Sequence, residues 1–236
     1  PDNVPDTVST QQLQSAITIV DNATGDLIAI YGGVGEKEYP LSYNRAEASL
    51  PTGSSVKPIA VYAPALDAGL ITPATAIEDS PFYEDTSWPQ NDARSYSGMC
   101  LVLRGVTSSL NTISVKTLDK LGLQNSYDFL TQKLGITTLV DHYEQGGREY
   151  TDIAYAPLAL GEQTFGLTVR EMTQAYATFP NMGSFREARS YTHVEDADGN
   201  LILDNAQESH TAISEKAAYY VNYMLSDVVR YGTGTP

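Results

Sequence analysis

Gly53-Ser54-Ser55-Val56-Lys57-Pro58-Ile59-Ala60-Val61-Tyr62-Ala63-Pro64-Ala65-Leu66 is the stretch on which the reading of this 236-residue chain turns. The apolar run Ile59, Ala60, Val61, Ala63 and Leu66, closed by Gly69, has the spacing of a buried helix that opens near Ser54. On such a helix Ser54 and Lys57 stand one turn apart on one face. A hydroxyl there sits in the field of a helix N-terminus, with an amine within hydrogen-bond reach. Serine is a poor nucleophile without a base, and a lysine whose pKa is depressed by burial and polar neighbours can be that base. Taken alone, the spacing also fits a helix cap at Ser54 followed by a surface lysine at Lys57.

The neighbourhood adds to this. Upstream, Ala16-Ile17-Thr18-Ile19-Val20 and Leu27-Ile28-Ala29-Ile30-Tyr31-Gly32-Gly33 flank Asp21-Asn22-Ala23-Thr24-Gly25, which predicts a β-hairpin. Tyr43-Asn44-Arg45-Ala46 leads into the serine helix. Downstream come Asp79-Ser80-Pro81, Trp88-Pro89-Gln90-Asn91, Leu103-Arg104, Ser109-Leu110-Asn111, Ala175-Tyr176-Ala177-Thr178-Phe179 with Asn181 and Gly183, and Gly232-Thr233-Gly234. In this order and spacing, from about Ala16 to its end, the chain resembles the transpeptidase domain of the class A (bifunctional) penicillin-binding proteins. Ser-x-x-Lys and Ser-x-Asn are two of the three active-site signatures of the penicillin-recognising serine enzymes. Leu50-Pro51-Thr52 stands where the family usually has Arg-Gln-Pro, and Val56 where it has an aromatic residue. No Lys-Thr-Gly or Lys-Ser-Gly occurs, since Lys116-Thr117 is followed by Leu118. Gly232-Thr233-Gly234-Thr235 follows the amphipathic run Ala217 to Arg230, where the family has a helix ending in Gly-Thr-Gly. The expectation is therefore a chain truncated before the third signature.

The resemblance implies an α+β fold, an antiparallel sheet flanked by helices with an all-helical lobe, its C-terminal strands lying beyond residue 236. Residues 1–14 read as a linker and 15–236 as the N-terminal part of the transpeptidase domain. The implied substrate is a peptidoglycan stem peptide ending in D-Ala-D-Ala, with β-lactam antibiotics as covalent inhibitors. Ser54 would be the nucleophile, Lys57 its base and Ser109 a proton relay. Asn111 would bond the bound peptide and help hold Lys57 neutral, while Trp88 and Asn91 would shape the groove wall. Ser42-Tyr43-Asn44 and Ser55 are decoys: the first precedes the nucleophile, and the residue three beyond Ser55 is Pro58, which offers no base. A D,D-carboxypeptidase or β-lactam hydrolase on the same scaffold remains an alternative, as does a non-catalytic cell-wall scaffold. Glu162 lacks the Glu-x-x-Leu-Asn setting of a hydrolytic base. No cofactor or metal is implied. The location implied is the outer face of the bacterial cytoplasmic membrane, with an anchor outside this chain and, in one reading, a separate C-terminal piece completing the domain.

Bulk properties agree with a globular, exported fragment. The formal charge of −15 argues against nucleic acid as a partner, because phosphate binding needs clustered Lys and Arg and the sequence has no such cluster. No run reaches the roughly 18 apolar residues of a membrane span, and no signal peptide opens the chain. The single cysteine, Cys100, reads as a small buried hydrophobe. His142, His193 and His210 have neither metal spacing nor an acid pair suited to a triad.

The remaining pattern predicts an irregular loop over 77–98, helices over 101–121 (interrupted at Ser109-Leu110-Asn111), 127–134 and 168–179, a hairpin over 186–203 and a last helix capped by Ser214. Thr168 and Glu171 form a capping box at the start of their helix.

Overall fold

The helix predicted from Ser54 to Gly69 forms in three pieces rather than one. In the computed structural model, which describes residues 13–36 and 41–235, Gly53–Val56 is a tight 3-10 turn, Pro58–Tyr62 a wide π-type turn and Ala63–Asp67 a short α-helix, α1. Two prolines account for the change of pitch. Pro58 has no N–H for the carbonyl of Ser55, and Pro64 has none for that of Ala60. Each carbonyl is served from elsewhere: the Tyr176 hydroxyl donates to Ser55 at 2.7 Å and the buried Ser126 hydroxyl to Ala60 at 2.7 Å. Val56, Ile59, Ala60, Val61, Ala63 and Ala65 are completely buried, so this segment is the axis of the core.

The first hairpin is as predicted, with β1 (Ile17–Val20) antiparallel to β2 (Leu27–Tyr31). The Asp21 carboxylate closes its turn by accepting from the N–H groups of Ala23 and Thr24 at 2.8 and 2.9 Å. Most of the expected linker, residues 1–12, lies outside the described residues. Gln14, which it included, is tied to the fold, its side-chain amide exchanging two hydrogen bonds with the backbone of Val34.

The predicted loop over 77–98 is bounded by paired strands, β3 (Ala76–Asp79) and β4 (Gly98–Leu101). Ile77 and Cys100 bury side by side in register, which draws the two ends of the loop together. Next come α2 (Val102–Thr107), α3 (Asn111–Leu121), α4 (Leu123–Asp128) and a wide turn, Phe129–Lys133. The α2/α3 break falls at Ser109 as expected, whereas the helix expected over 127–134 starts earlier, at Leu123. A small hairpin, β5 (Tyr143–Gln145) with β6 (Arg148–Tyr150), turns at Gly146-Gly147 and was not anticipated. A third wide turn, Ala156–Leu160, leads to α5 (Val169–Ala177). The hairpin expected over 186–203 is two nested ladders, β7 (Ser184–Arg186) with β10 (Ser209–Thr211) outside β8 (His193–Glu195) with β9 (Leu201–Asp204). The last helix, α6 (Glu215–Tyr231), is capped by Ser214 as predicted, its hydroxyl accepting from Ala217 N–H at 3.3 Å.

Among the described residues the strands make five two-stranded antiparallel ladders. Helices surround the serine segment: α3 and Ala156–Leu160 pack on its wide turn, while α6 packs on α1 and α2. Helices and antiparallel strands mix in the α+β manner expected.

Loops are locked by buried carboxylates that accept from hydroxyls and N–H groups. Glu171, 3% exposed, completes the capping box with Thr168 and also accepts from the N–H and hydroxyl of Thr137 and the hydroxyl of Thr138. Burial pushes its pKa up, but these bonds together outweigh burial and hold it below the ordinary Glu range. Its contribution to stability is thus present above the unfolded pKa of about 4.3 and is lost as pH falls through the lower native value. Glu171→Gln turns an amide N–H toward at least one buried donor. It should cost about 1–3 kcal/mol, or about 2–4 °C in Tm per kcal/mol at this size. Thermal unfolding at pH 7 and pH 3.5 checks this: the variant's deficit should shrink at the lower pH.

Candidate active site

Three segments converge on Lys57. The first is its own turn, which leaves Ser54 exposed at the surface and Lys57 2% exposed beneath it. The second is the connector Ser108 to Leu110 between α2 and α3. Gly105 sets the approach of those helices, because a side chain there would meet Ile113 at 2.5 Å. Ser109 takes the left-handed conformation, φ 52°, which is costly for a residue other than glycine and turns its carbonyl to the lysine. The third is the loop of Trp88, reached through Gln90 and Asn91.

Lys57 Nζ donates to the Ser109 carbonyl at 2.8 Å, the Ser109 hydroxyl at 3.2 Å and Asn111 Oδ1 at 2.6 Å. An ammonium has three N–H groups, so all are used and none is left for Ser54. Burial pushes the Lys57 pKa down to about 8. This corrects the role expected of Asn111: a carbonyl oxygen accepting from Nζ favours the ammonium, and desolvation is what favours the neutral amine. Asn111 Nδ2 donates to the Gln90 carbonyl at 2.7 Å.

Ser54, Lys57 and Ser109 share a cavity of about 210 Å³ with Ser55, Tyr176 and Thr233. A larger groove, about 680 Å³ between α5 and Leu50 to Thr52, holds Ser55 and Tyr176 but not Ser54, Lys57 or Ser109, so the three candidate residues meet in the smaller one. Thr233 reaches the cavity because its N–H donates to the Thr107 carbonyl at 3.2 Å, docking the segment after α6 beside the connector.

The remaining candidates divide. Trp88 is half-buried, stacked on Tyr83 with ring centroids 5.6 Å apart and tilted against Tyr155 at 6.4 Å. Asn91, expected on the groove wall, is instead 3% exposed with its amide fully engaged: Nδ2 donates to Asp79 and to the Ser95 carbonyl, while Oδ1 accepts from Asn111 N–H and Thr112 N–H. Its place inside the loop corrects that expectation. The Ser55 hydroxyl donates to the Thr52 carbonyl at 2.7 Å. Glu162 is exposed, while its neighbour Gln163 is buried and clamps Thr52 from both amide ends. Gly161 permits that clamp, since any side chain there would collide with the backbone of Gly53. Among the described residues no cluster of His, Cys, Asp or Glu is arranged to hold a metal.

Sequence reasoning missed Tyr176, Gln163 and Asp79 as parts of the site's frame. Tyr176 and Asp79 lie in segments singled out for their resemblance, yet only the folded chain shows which atoms they meet.

Residues 15–236 match the family model of the penicillin binding protein transpeptidase domain. Penicillin-binding protein 1A of Clostridium acetobutylicum is 36% identical over 234 residues, covering 94% of this chain and 27% of that protein. Penicillin-binding protein 1A of Clostridium botulinum is 33% identical over 234 residues, with the same coverage of 94% and 27%. The chain thus spans about a quarter of the length of these relatives. Among solved structures, penicillin-binding protein 1A from Haemophilus influenzae superimposes with a TM-score of 0.73 at 24% identity, over 94% of this chain and 36% of that one. The D,D-transpeptidase domain of a peptidoglycan glycosyltransferase from Eggerthella lenta gives 0.69 at 18% identity, over 94% and 62%.

The geometry of Lys57 makes a direct prediction. Carbon-detected NMR of lysine-labelled protein should show one Cε titrating near pH 8, lost in Lys57→Arg. A Lys57 midpoint above 10 would remove it as a base at neutral pH.

Proposed function

Since the chain belongs to the penicillin-binding protein transpeptidase domain family, we propose that it performs serine acyl transfer on peptidoglycan stem peptides ending in D-Ala-D-Ala and is acylated by β-lactams at the same serine. The observation that carries the reading is a buried lysine hydrogen-bonded to Ser109 and Asn111 directly behind an exposed Ser54.

In the proposed reaction the neutral Lys57 amine takes the Ser54 proton as Oγ attacks the penultimate D-Ala carbonyl. The tetrahedral intermediate collapses, its C–N bond breaks, and the terminal D-alanine leaves as an amine. That nitrogen needs a proton, which Ser109 Oγ–H supplies and the Lys57 ammonium, 3.2 Å away, replaces. The ester on Ser54 is then attacked by an amine of a neighbouring stem, with the proton steps reversed, and a cross-link results. In a β-lactam the broken amide belongs to a ring, so the leaving nitrogen stays attached to the acyl group.

Lys57 makes no hydrogen bond to Ser54 in the resting arrangement, and such bonds tighten when substrate binds. Asn111 holds Lys57 and retains one Nδ2 N–H for the bound peptide, the other being given to Gln90. Trp88 and its aromatic neighbours would form the wall beside Asn111. The third signature would come from residues outside these 236. Location at the outer face of the cytoplasmic membrane belongs to the same proposal; no helix among the described residues is long and apolar enough to cross a membrane.

The test uses a polypeptide in which this sequence is continued through a Lys-Thr-Gly segment. Labelling with a penicillin and peptide mass spectrometry should place the adduct on Ser54, and Ser54→Ala should abolish it. Lys57→Ala should slow acylation by about 10²–10⁴ while remaining folded. Because the neutral amine is the active form, the second-order rate should climb as pH rises through about 8 and level off above it. An adduct on Ser55, or Lys57→Ala reacting at the unsubstituted rate, would overturn the assignment.

A further inference from the structure

Asp79, the last residue of β3, is 2% exposed, and among the described residues no cation lies within ion-pair distance of it. Its carboxylate is satisfied by hydrogen bonds alone. Oδ1 accepts from Asn91 Nδ2 at 2.7 Å and the Thr112 hydroxyl at 2.6 Å; Oδ2 accepts from Ser97 N–H at 2.7 Å and the Ser97 hydroxyl at 2.8 Å. Lys116 stands nearby but spends its ammonium on the Glu78 carbonyl and the Ser80 hydroxyl.

A carboxylate only accepts, whereas an amide has one donor end and one acceptor end. Once Asp79 holds Asn91 Nδ2, Asn91 Oδ1 must face the other way. There it accepts from the backbone N–H of Asn111 at 2.9 Å and of Thr112 at 3.4 Å. These belong to the first turn of α3, whose N–H groups have no partner within the helix. Seating that turn seats Asn111, and Asn111 Oδ1 is the shortest of the Lys57 contacts at 2.6 Å. A reversed Asn91 amide would set donors against donors and push the turn away.

We propose that Asp79 is a positioning residue for the acylation site: it fixes the orientation of the Asn91 amide and thereby holds Asn111 against Lys57. The kinetic consequence rests on the acyl-transfer reading above, while the geometric one can be judged without any activity.

The geometric test is NMR of the asparagine side-chain amides in the 236-residue chain. The Asn111 N–H given to Gln90 should be shifted downfield and protected from solvent exchange. Asp79→Asn leaves a single acceptor oxygen, which the fixed backbone N–H of Ser97 claims; the new amide donor then faces Asn91 Nδ2, so that signature should disappear. The double variant Asp79→Asn/Asn91→Asp exchanges donor and acceptor and should restore it. Ser97→Ala weakens the other oxygen's contacts and should leave it unchanged. A folded Asp79→Asn protein with the Asn111 signature intact, or a folded double variant that fails to regain it, would overturn the proposal. If Asp79→Asn does not fold, Asn91→Ala decides, because it keeps the carboxylate with its Ser97 and Thr112 bonds: an unchanged signature there also overturns it.

In the longer polypeptide, Asp79→Asn should lower the acylation rate constant by about tenfold to a hundredfold with non-covalent affinity for the β-lactam little changed, and the double variant should recover it. Absence of a Ser54 adduct in the unsubstituted protein would sink the acyl-transfer reading and leave Asp79 to the NMR result.

Discussion

A lysine amine with 2% exposure must be given hydrogen-bond acceptors in place of water, and the arrangement around the site follows from that requirement. Three oxygens meet Nζ, two from Ser109 and one from Asn111. To bring them there the chain leaves α2 in a left-handed residue, enters α3 at once, and lets the two helices touch at Gly105. The same enclosure lowers the lysine's pKa into the range where it can take a proton.

Ser54 is held by the opposite strategy. Its turn is poor in regular backbone bonds because Pro58 and Pro64 remove two donors. Hydroxyls distant in sequence make up the difference, Tyr176 from α5 and Ser126 from α4, while Gln163 from the loop after the Ala156–Leu160 turn accepts from Thr52 N–H and holds the start of the turn. Ser54 is therefore fixed by the surrounding core rather than by a helix of its own, and its hydroxyl remains open to the cavity. Ser55 is adjacent but differs in its surroundings, its hydroxyl being turned back onto Thr52.

Charge follows a similar division. The chain carries a formal −15, yet its buried carboxylates Asp79, Asp152 and Glu171 are held by hydroxyls and N–H groups rather than by cations. Directional donors of this kind fix loop geometry more closely than a diffuse ion pair does. Asp79 and Glu171 each join segments more than thirty residues apart, and the first of these junctions reaches the site through Asn91.

Much of the fold was legible in the residues because it rests on local rules: the hairpin about Asp21 to Gly25, the Thr168/Glu171 capping box, the Ser214 cap and the break at Ser109 all depend on side chains within a few positions of one another. The pairing of Ser54 with Lys57 was legible for the same reason, since one helical turn separates them. What the sequence left open involves partners far apart along it. Pro58 and Pro64 broke the helix of Ser54 into three turns, and which groups would serve the carbonyls they leave open, the hydroxyls of residues 126 and 176, was not local information. The loop over 77–98 closed into a ladder because Ile77 and Cys100 share a buried register. Asn91 moved from groove wall to interior because Asp79 and α3 claimed every polar atom of its amide. Residue types and their spacing were enough to identify the transpeptidase domain family to which this chain belongs. Only tertiary packing decided which groups Lys57 meets and how far it is shielded from water, because desolvation and hydrogen-bond direction exist only once distant segments close around it.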